Sequence, residues 1–326
     1  MRCSSLGRRS KKEIEEITDL PGIGPQTAEK LKAAGYTTIE SIATASPAEI
    51  AMISGISEAQ AAKFIAAARA ALDLGEVETA YEFLQRRKQV RKITTGCKAL
   101  DDMLDGGIET GTITEVYGPY GSGKTQLCHQ LSVTVQLPEE RGGLGKGAFY
   151  IDTEHTFRPE RIVQIAKAFE LDPMEALKNI LYARAFNTDH QVLITDKAEE
   201  YIKSRNIGLL IVDSLISHFR GEYVGRETLA ERQQRLNKYI HKLLRMASVY
   251  NIGVLVTNQV LANPGIYYGD PLSPAGGHVL GHGVTCRLYI RRTKGDRRVI
   301  KLVKSPYLPE SSIEVAITES GIAAVE

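Results

Sequence analysis

The chain is poor in cysteine: Cys3, Cys97, Cys128 and Cys286 are the only four in 326 residues. They stand far apart and form no CxxC pair, which excludes a zinc ribbon, a redox pair and a disulfide scaffold and leaves the reading of reduced thiols. No apolar run reaches the roughly 18 residues that a membrane helix needs. The opening stretch, MRCSSLGRRSKK, carries no apolar segment after its basic residues, so neither a membrane span nor a secretory signal is expected and the expected location is the cytoplasm. Charge of one sign is also missing. With 41 Lys+Arg against 39 Asp+Glu the net charge is 41 − 39 = +2, so any polyanion must be met by local patches and not by the chain as a whole. Hydrophobic residues at 43%, charged residues at 25%, 29 Gly and 12 Pro exclude collagen-like and disordered classes and leave a globular protein whose length suits two domains.

What is present changes character along the chain. Residues 1–12 are basic and Ser/Gly-rich and read as a flexible tail. Residues 13–74 are alanine-rich and helical in pattern, broken at Pro21-Gly22, Gly35, Ser46-Pro47 and Gly55, which predicts five short helices. Residues 75–92 are polar and strongly charged, suiting a linker. From residue 93 to 326, β-branched runs (ITEVYG, AFYIDTE, GLLIVDS, GVLVTNQ) alternate with longer amphipathic stretches. This is α/β order, and near-continuous apolar strands such as Leu209-Leu210-Ile211-Val212 predict a mostly parallel sheet covered by helices on both faces. The last stretch, from about Cys286, reads as strands added at the sheet edge.

Gly118-Pro119-Tyr120-Gly121-Ser122-Gly123-Lys124-Thr125 fits GxxxxGK[ST], with a strand-like run before it and a helical run after. The glycines let backbone N–H groups curl around a β-phosphate at a helix start, Lys124 adds a point charge to the β- and γ-phosphates, and the Thr125 hydroxyl reaches Mg²⁺. The pattern therefore calls for ATP and Mg²⁺. Asp213, ending the apolar run Leu209–Val212, is the candidate for the magnesium shell. Hydrolysis also needs a group that orients water on the γ-phosphate. Glu154, at the end of Ala148–Thr153, is the candidate, with Asp152 read as a strand-end hydrogen-bonding group.

Taken in order, GPYGSGKT, YIDTEHTFRPERI, LLIVDS, VTNQV and AGGHVLGH resemble the RecA-like recombinases, most closely their archaeal and eukaryotic branch. The resemblance extends over residues 93–326, and a helix-hairpin-helix domain in front belongs to that branch as well. It implies a RecA-like P-loop ATPase core preceded by a small all-α domain, acting as a DNA-dependent ATPase in recombinational repair on the nucleoid. Such proteins form filaments on single-stranded DNA and exchange strands with homologous duplex, with recombination mediators as possible partners. Residue by residue it supports Glu154 as the catalytic carboxylate, places Arg161 and Gln164 on the adenine side, and makes Gln259 a polar sensor of the γ-phosphate. A planar guanidinium such as that of Arg161 is suited to stacking on a base.

The DNA contacts are read partly from spacing. Leu20–Leu31 has the G-x-G turn of a helix-hairpin-helix, in which Gly22 and Gly24 bring amides to a phosphate and recognise backbone, not sequence; the bland alternative is a helical packing domain with two punctuating glycines. A degenerate second copy begins at Ile53-Ser54-Gly55. Arg220, Tyr223 and Arg226 recur every three residues where the resemblance places a first DNA loop, with arginines for phosphates and an aromatic for stacking. Residues 261–282 correspond to a second loop that orders on DNA, ending at Gly276 and Gly277, with His278 sensing nucleotide across a subunit boundary.

Three positions depart from what the resemblance implies. The oligomerisation tether, commonly Phe-x-x-Ala or Phe-x-x-Gly, reads Val77-Glu78-Thr79-Ala80, and valine fills a receiving pocket less than phenylalanine, by about 1 kcal/mol of apolar burial. Lys304 stands where many relatives carry an acid, in a segment with Pro306 that resembles the one capping ATP from the adjacent protomer; its ammonium is expected either to take the place of a monovalent cation or to point to solvent or DNA. His155 follows Glu154 where a smaller residue is common. Other classes stay open at this point: a regulatory or mediator ATPase, a hexameric helicase, or a purely structural DNA-binding module.

Overall fold

The computed structural model describes residues 16–325, apart from positions 54, 73, 75, 76, 226 and 263–271. The basic tail read at residues 1–12 lies outside the described residues. The chain divides into two compact units between Glu78 and Thr79.

The first unit holds a 3-10 turn at Ile17–Asp19 and four helices: α1 (Pro25–Ala33), α2 (Ile39–Thr44), α3 (Pro47–Ala51) and α4 (Glu58–Ala71). One of the five expected helices is thus only a single turn. The breaks follow from the capping chemistry. Thr38, Ser46 and Ser57 each accept a bond from the amide three residues on, and the side chains of Ser41, Glu49 and Gln60 answer to the capping residues' own amides, which satisfies donors that a helix start leaves orphaned. Leu31, Ile42, Ile50, Ala61 and Phe64 close the core. At α1 the cap is Gly24, with no side-chain bond and Pro25 next.

The second unit runs α5 (Ala80–Arg87), β1 (Lys92–Ile93), α6 (Lys98–Met103), β2 (Ile108–Glu109), β3 (Ile113–Tyr117), α7 (Lys124–Thr134), β4 (Gly147–Asp152), α8 (Pro159–Ala168), α9 (Pro173–Lys178), β5 (Ile180–Arg184), α10 (Thr188–Ser204), β6 (Ile207–Asp213), α11 (Ser217–Glu222), α12 (Leu229–Tyr250), β7 (Gly253–Asn258), β8 (Val260–Ala262), β9 (Leu272–Pro274), α13 (Gly277–Gly283), β10 (Cys286–Arg292), β11 (Arg297–Lys304), β12 (Ser311–Thr318) and β13 (Gly321–Ala324). Nine strands form one sheet in the order β13-β12-β11-β10-β3-β7-β6-β4-β5. From β10 to β5 every pairing is parallel, and β10 to β13 are antiparallel to one another. Both halves match the expectation, including the strands added at the edge.

The two-residue period of β6 shows why apolar runs were needed. Leu209 and Ile211 face a core shared with Leu127 and Leu131 of α7 and Ile162 of α8. Leu210 and Val212 face the opposite core, with Ile194 of α10 and Leu236 and Leu243 of α12. A strand buried on both faces has no polar side to show. Inside the stretch read as a linker, α5 starts at Thr79, which shares reciprocal bonds with Glu82, and the Arg87 guanidinium forms a two-bond pair with Glu109 at 2.8 and 3.0 Å. Among the described residues no helix is long and apolar enough to cross a membrane.

The first unit generates a test of its turn. Gly22 has φ +88°, and a Cβ there would sit 3.2 Å from the Phe64 ring, whereas Gly24 has no heavy atom within 4 Å of such a Cβ. Gly22→Ala should therefore destabilise this unit by about 1–2 kcal/mol, and Gly24→Ala by less than about 0.5 kcal/mol, as read by chemical denaturation; equal losses would contradict this account.

Candidate nucleotide site and nucleic-acid interface

Strand β3 ends at Tyr117, and the chain must turn at once into α7. Gly118 is required by its surroundings, since a Cβ there would lie 2.0 Å from the Ile290 carbonyl oxygen of β10. Gly123 caps α7 with φ +110°. Between them Pro119, Tyr120, Gly121 and Ser122 complete the loop, Tyr120 fully exposed and Ser122 buried. The Lys124 Nζ donates to the carbonyls of Gly118 (3.0 Å) and Pro119 (2.9 Å). Burial lowers its pKa, opposed by Asp213 and Glu154, so a phosphate arriving here meets an ammonium already relieved of much of its water.

A cavity of about 510 Å³ opens beside this loop, and Lys124, Thr125, Glu154, Arg161 and Asp213 all line it. Five residues separated by as many as 89 positions (213 − 124) are thus brought to one place, at the C-terminal ends of β3, β4 and β6, the edge where parallel sheets present ligand sites. Asp213 is fully buried. It accepts from Tyr150 Oη at 2.7 Å and from Thr257 Oγ1; burial raises its pKa, and hydroxyl donors including Thr125 pull it back. A cation nearby favours the charged form of such a carboxylate. Thr125 and Asp213 are few donors for a metal, and among the described residues no cluster of three acidic, His or Cys groups could hold one. That suits Mg²⁺, which keeps waters and phosphate oxygens as its main ligands.

Glu154 Oε1 accepts from Ser214 Oγ and from Gln259 Nε2, both at 2.8 Å. Asp152 is fully buried and engaged with its own chain, accepting from the amides of Glu154, Thr156 and Phe157 at 3.0–3.2 Å. The choice between the two carboxylates follows: Asp152 builds the turn that Glu154 stands on. His155 takes φ +58° in that turn.

Arg161 is held edge-on at every nitrogen. Its Nε donates to Gln126 (2.7 Å), one terminal nitrogen to Gln164 (2.9 Å) and the Glu319 carbonyl, and the other to the Thr318 carbonyl (both 2.6 Å). With four of its five N–H donors engaged in its plane, the guanidinium is held so that its flat face suits stacking on a base. Gln164 thus belongs behind Arg161, and Gln126, which sequence reading missed, shares that task. Also given no role from sequence were Ser214 and Thr257, although they stand inside the LLIVDS and VTNQV motifs, and Arg298, whose Nε donates to the Ser122 carbonyl at 3.0 Å and which lies in no motif, so that only the fold reveals it.

The residues read as nucleic-acid contacts are less uniform. Arg220 lies on α11 and donates to Gln259 Oε1 at 3.3 Å. Tyr223 corrects the expectation of an aromatic free to stack: it is 9% exposed, its hydroxyl accepts from Arg235, and that guanidinium covers its ring at 5.6 Å. Arg226 lies outside the described residues, as do the side chain of His278 and residues 263–271 of the stretch 261–282. Gly276 (φ +93°) and Gly277 (φ +63°) start α13. Lys304 lies away from the cavity, donating to the carbonyls of Gly281 (2.8 Å) and Val284 (2.7 Å) at the end of α13; lysine at a helix C-terminus is favoured by the carbonyl dipoles. Pro306 is exposed beside Tyr307. Val77 is fully exposed, and Ala80 opens α5.

A phosphate loop on a parallel sheet, an acidic strand end and a carboxylate at the same edge define a RecA-like nucleotide-binding core, with a helical domain ahead of it. The Rad51 family matches residues 86–325, and the SAM-like helix-hairpin-helix tandem matches residues 14–70. The chain belongs to the Rad51 family of RecA-like, DNA-dependent ATPases. It is 53% identical over 312 residues to the DNA repair and recombination protein RadA of Aeropyrum pernix, covering 96% of this chain and 98% of that protein.

Removing Arg161 (Arg161→Ala) should weaken adenine-nucleotide binding about tenfold, on the scale of one stacked guanidinium. Gln126→Ala, which only frees the arginine, should cost about threefold. Equilibrium binding of a fluorescent ATP analogue measures both, and an equal or reversed ranking would contradict the positioning role of Gln126.

Proposed function

We propose that this protein is an ATP-dependent DNA recombinase: protomers assemble on single-stranded DNA with ATP and Mg²⁺, pair it with homologous duplex and exchange strands, in cytoplasm and on the nucleoid. The observation that carries this reading is the bond between Gln259 and Glu154. It joins the carboxylate of the nucleotide cavity to the residue that opens the 260–274 segment, and Arg220 on α11 joins the same glutamine. A change at the DNA side therefore has a direct route to the group that orients water.

The chemistry follows from the chain's own residues. Lys124 leaves its loop carbonyls for phosphate oxygens, and the amides of the loop surround the β-phosphate. Bound Mg²⁺, held by Thr125 and through Asp213, supplies neutralising charge. Glu154 uses the oxygen not taken by Ser214 and Gln259 to accept a hydrogen bond from the attacking water, holding it in line. Arg161 presents a face to the adenine. In the first unit, Gly22 and Gly24 shape the turn before α1, whose uncapped start suits a DNA phosphate.

Assembly is read from the exposed edge of the sheet. Strand β5 is the last strand, and a pocket of about 350 Å³ beside it is lined by Phe149, Leu181, Ala183 and Ile194 among others. An extended segment with an apolar anchor suits such an edge by strand addition, and Val77 of a neighbouring copy is the proposed anchor, with Ala80 in the same tether. His278, Pro306 and Gly276-Gly277 are proposed to reach the nucleotide or DNA only in that assembly. Arg226 is proposed to add a phosphate contact, and recombination mediators are proposed as further partners.

Strand exchange between a labelled single strand and homologous duplex tests the reading. Product is expected with ATP and with a slowly hydrolysed analogue, and none with Lys124→Ala. Single-strand binding that depends on ATP but yields no product would replace this reading with a mediator ATPase, directional unwinding would point to a helicase, and ATP-independent binding to a structural module.

Lys304 is proposed to fill, with its ammonium, the role of a monovalent cation at the subunit boundary. Potassium should then stimulate hydrolysis by less than about twofold, and Lys304→Asp should introduce a stimulation several times larger; equal stimulation in the two proteins would reject this role.

A further inference from the structure

Away from the cavity the sheet buries an ion pair that none of the steps above uses. Glu115, in the middle of β3, is completely buried, and its Oε2 accepts from Arg287 Nε of β10 at 2.5 Å. Arg287 lies over the Tyr117 ring at 5.0 Å and is close enough to α13 that a Cβ on Gly281 would be 3.2 Å from its guanidinium. The other oxygen of Glu115 accepts from Asn258 Nδ2 at 2.8 Å, and the same amide donates to the Ala275 carbonyl at 2.7 Å. Ala275 in turn donates its N–H to the Gln259 carbonyl at 2.9 Å, and Val260 pairs with Pro274 one step further out.

From this geometry we propose that Glu115, Arg287 and Asn258 form a latch at the mouth of the 260–274 segment, positioning Gln259 against Glu154 so that DNA occupancy of that segment reaches the nucleotide site. Coupling of this kind needs a fixed reference. A segment closed by two bonds to one residue, Ala275, transmits movement only if one side of its mouth is anchored. Asn258 is anchored to a carboxylate that cannot shift, because β3 is a central strand and Arg287 compensates its charge. A charge-assisted bond of this kind is stronger and more directional than a neutral one, and a buried carboxylate left without partners is costly enough to keep the arrangement closed. These three residues touch neither nucleotide nor reacting water, so their role is positioning. The inference rests on the DNA-coupled ATPase reading given above.

The test compares hydrolysis at saturating single-stranded DNA with affinity for a fluorescent ATP analogue, in the full-length protein. Asn258→Ala should leave analogue affinity within about twofold and lower DNA-stimulated kcat at least fivefold. Asn258→Leu, of similar volume but without the donor, should lose the stimulation as fully, whereas a packing role would tolerate it. Glu115→Gln leaves Arg287 charged beside a neutral amide and is the variant that risks misfolding; where it folds, the double variant with Asn258→Ala should be no worse than Asn258→Ala alone, since both cut one connection. DNA stimulation retained within twofold in Asn258→Ala would overturn the proposal. So would loss of analogue binding together with hydrolysis, because the latch would then serve the cavity's integrity. Absence of DNA stimulation in the unmutated protein would instead reject the recombinase reading, and this inference with it.

Discussion

The parallel register of β4, β6, β7 and β3 is the constraint from which the site follows. Asp152 lies opposite Asp213, Val212 opposite Val256, and Tyr117 opposite Asn258. Strand ends set level by hydrogen bonding place Asp152 and Asp213 in one row, with Tyr117 and Asn258 paired one step further along and Glu154 two residues beyond Asp152. A slip of one residue in any of these strands would turn its apolar side chains to the wrong core and carry its terminal polar group to the opposite face. The burial of both faces, which stabilises the sheet, is therefore also what aligns the chemistry.

Upon that register the protein builds two kinds of polar contact. Some are nearly saturated: Asp152 spends its oxygens on three amides, and Arg161 spends four of its five N–H donors on two side chains and two carbonyls. Others leave one valence open. Glu154 commits one oxygen to Ser214 and Gln259 and has the second available, and Asp213 faces the cavity while hydroxyl groups support it from behind. Nearly saturated groups make the walls, because a side chain with most of its bonds satisfied has one orientation. Half-satisfied groups at the same depth are where a nucleotide and its ion gain most. The same division explains Gln259, which bonds Glu154 with its amide nitrogen and Arg220 with its oxygen and so ties the cavity to α11.

Much of this was legible beforehand where chemistry is local. The phosphate loop carries its own glycines and lysine in eight consecutive residues, the capped helix starts are written in Thr38, Ser46 and Ser57, and the apolar run at 209–212 announces a strand buried on both faces. Tyr223 was misread for a definite reason. A three-residue recurrence of Arg and Tyr looks alike whether the ring is offered to a base or buried, and the cover over this ring comes from Arg235, twelve positions away on another helix. Gln164, expected on the adenine side, bonds to Arg161 and does not itself line the cavity.

By itself the amino-acid sequence determined the class of fold, the order of its two units, the phosphate loop and the candidate carboxylates at the strand ends, because each depends on spacing within a few residues or on the period of apolar positions. The tertiary structure alone decided what holds Arg161 flat, where the Lys304 ammonium rests, and that Glu115 and Arg287, 172 positions apart, meet between two central strands of the sheet. Those outcomes depend on which strands become neighbours, and strand neighbours are chosen by the burial of the whole sheet, a sum over distant residues that no short stretch of sequence contains.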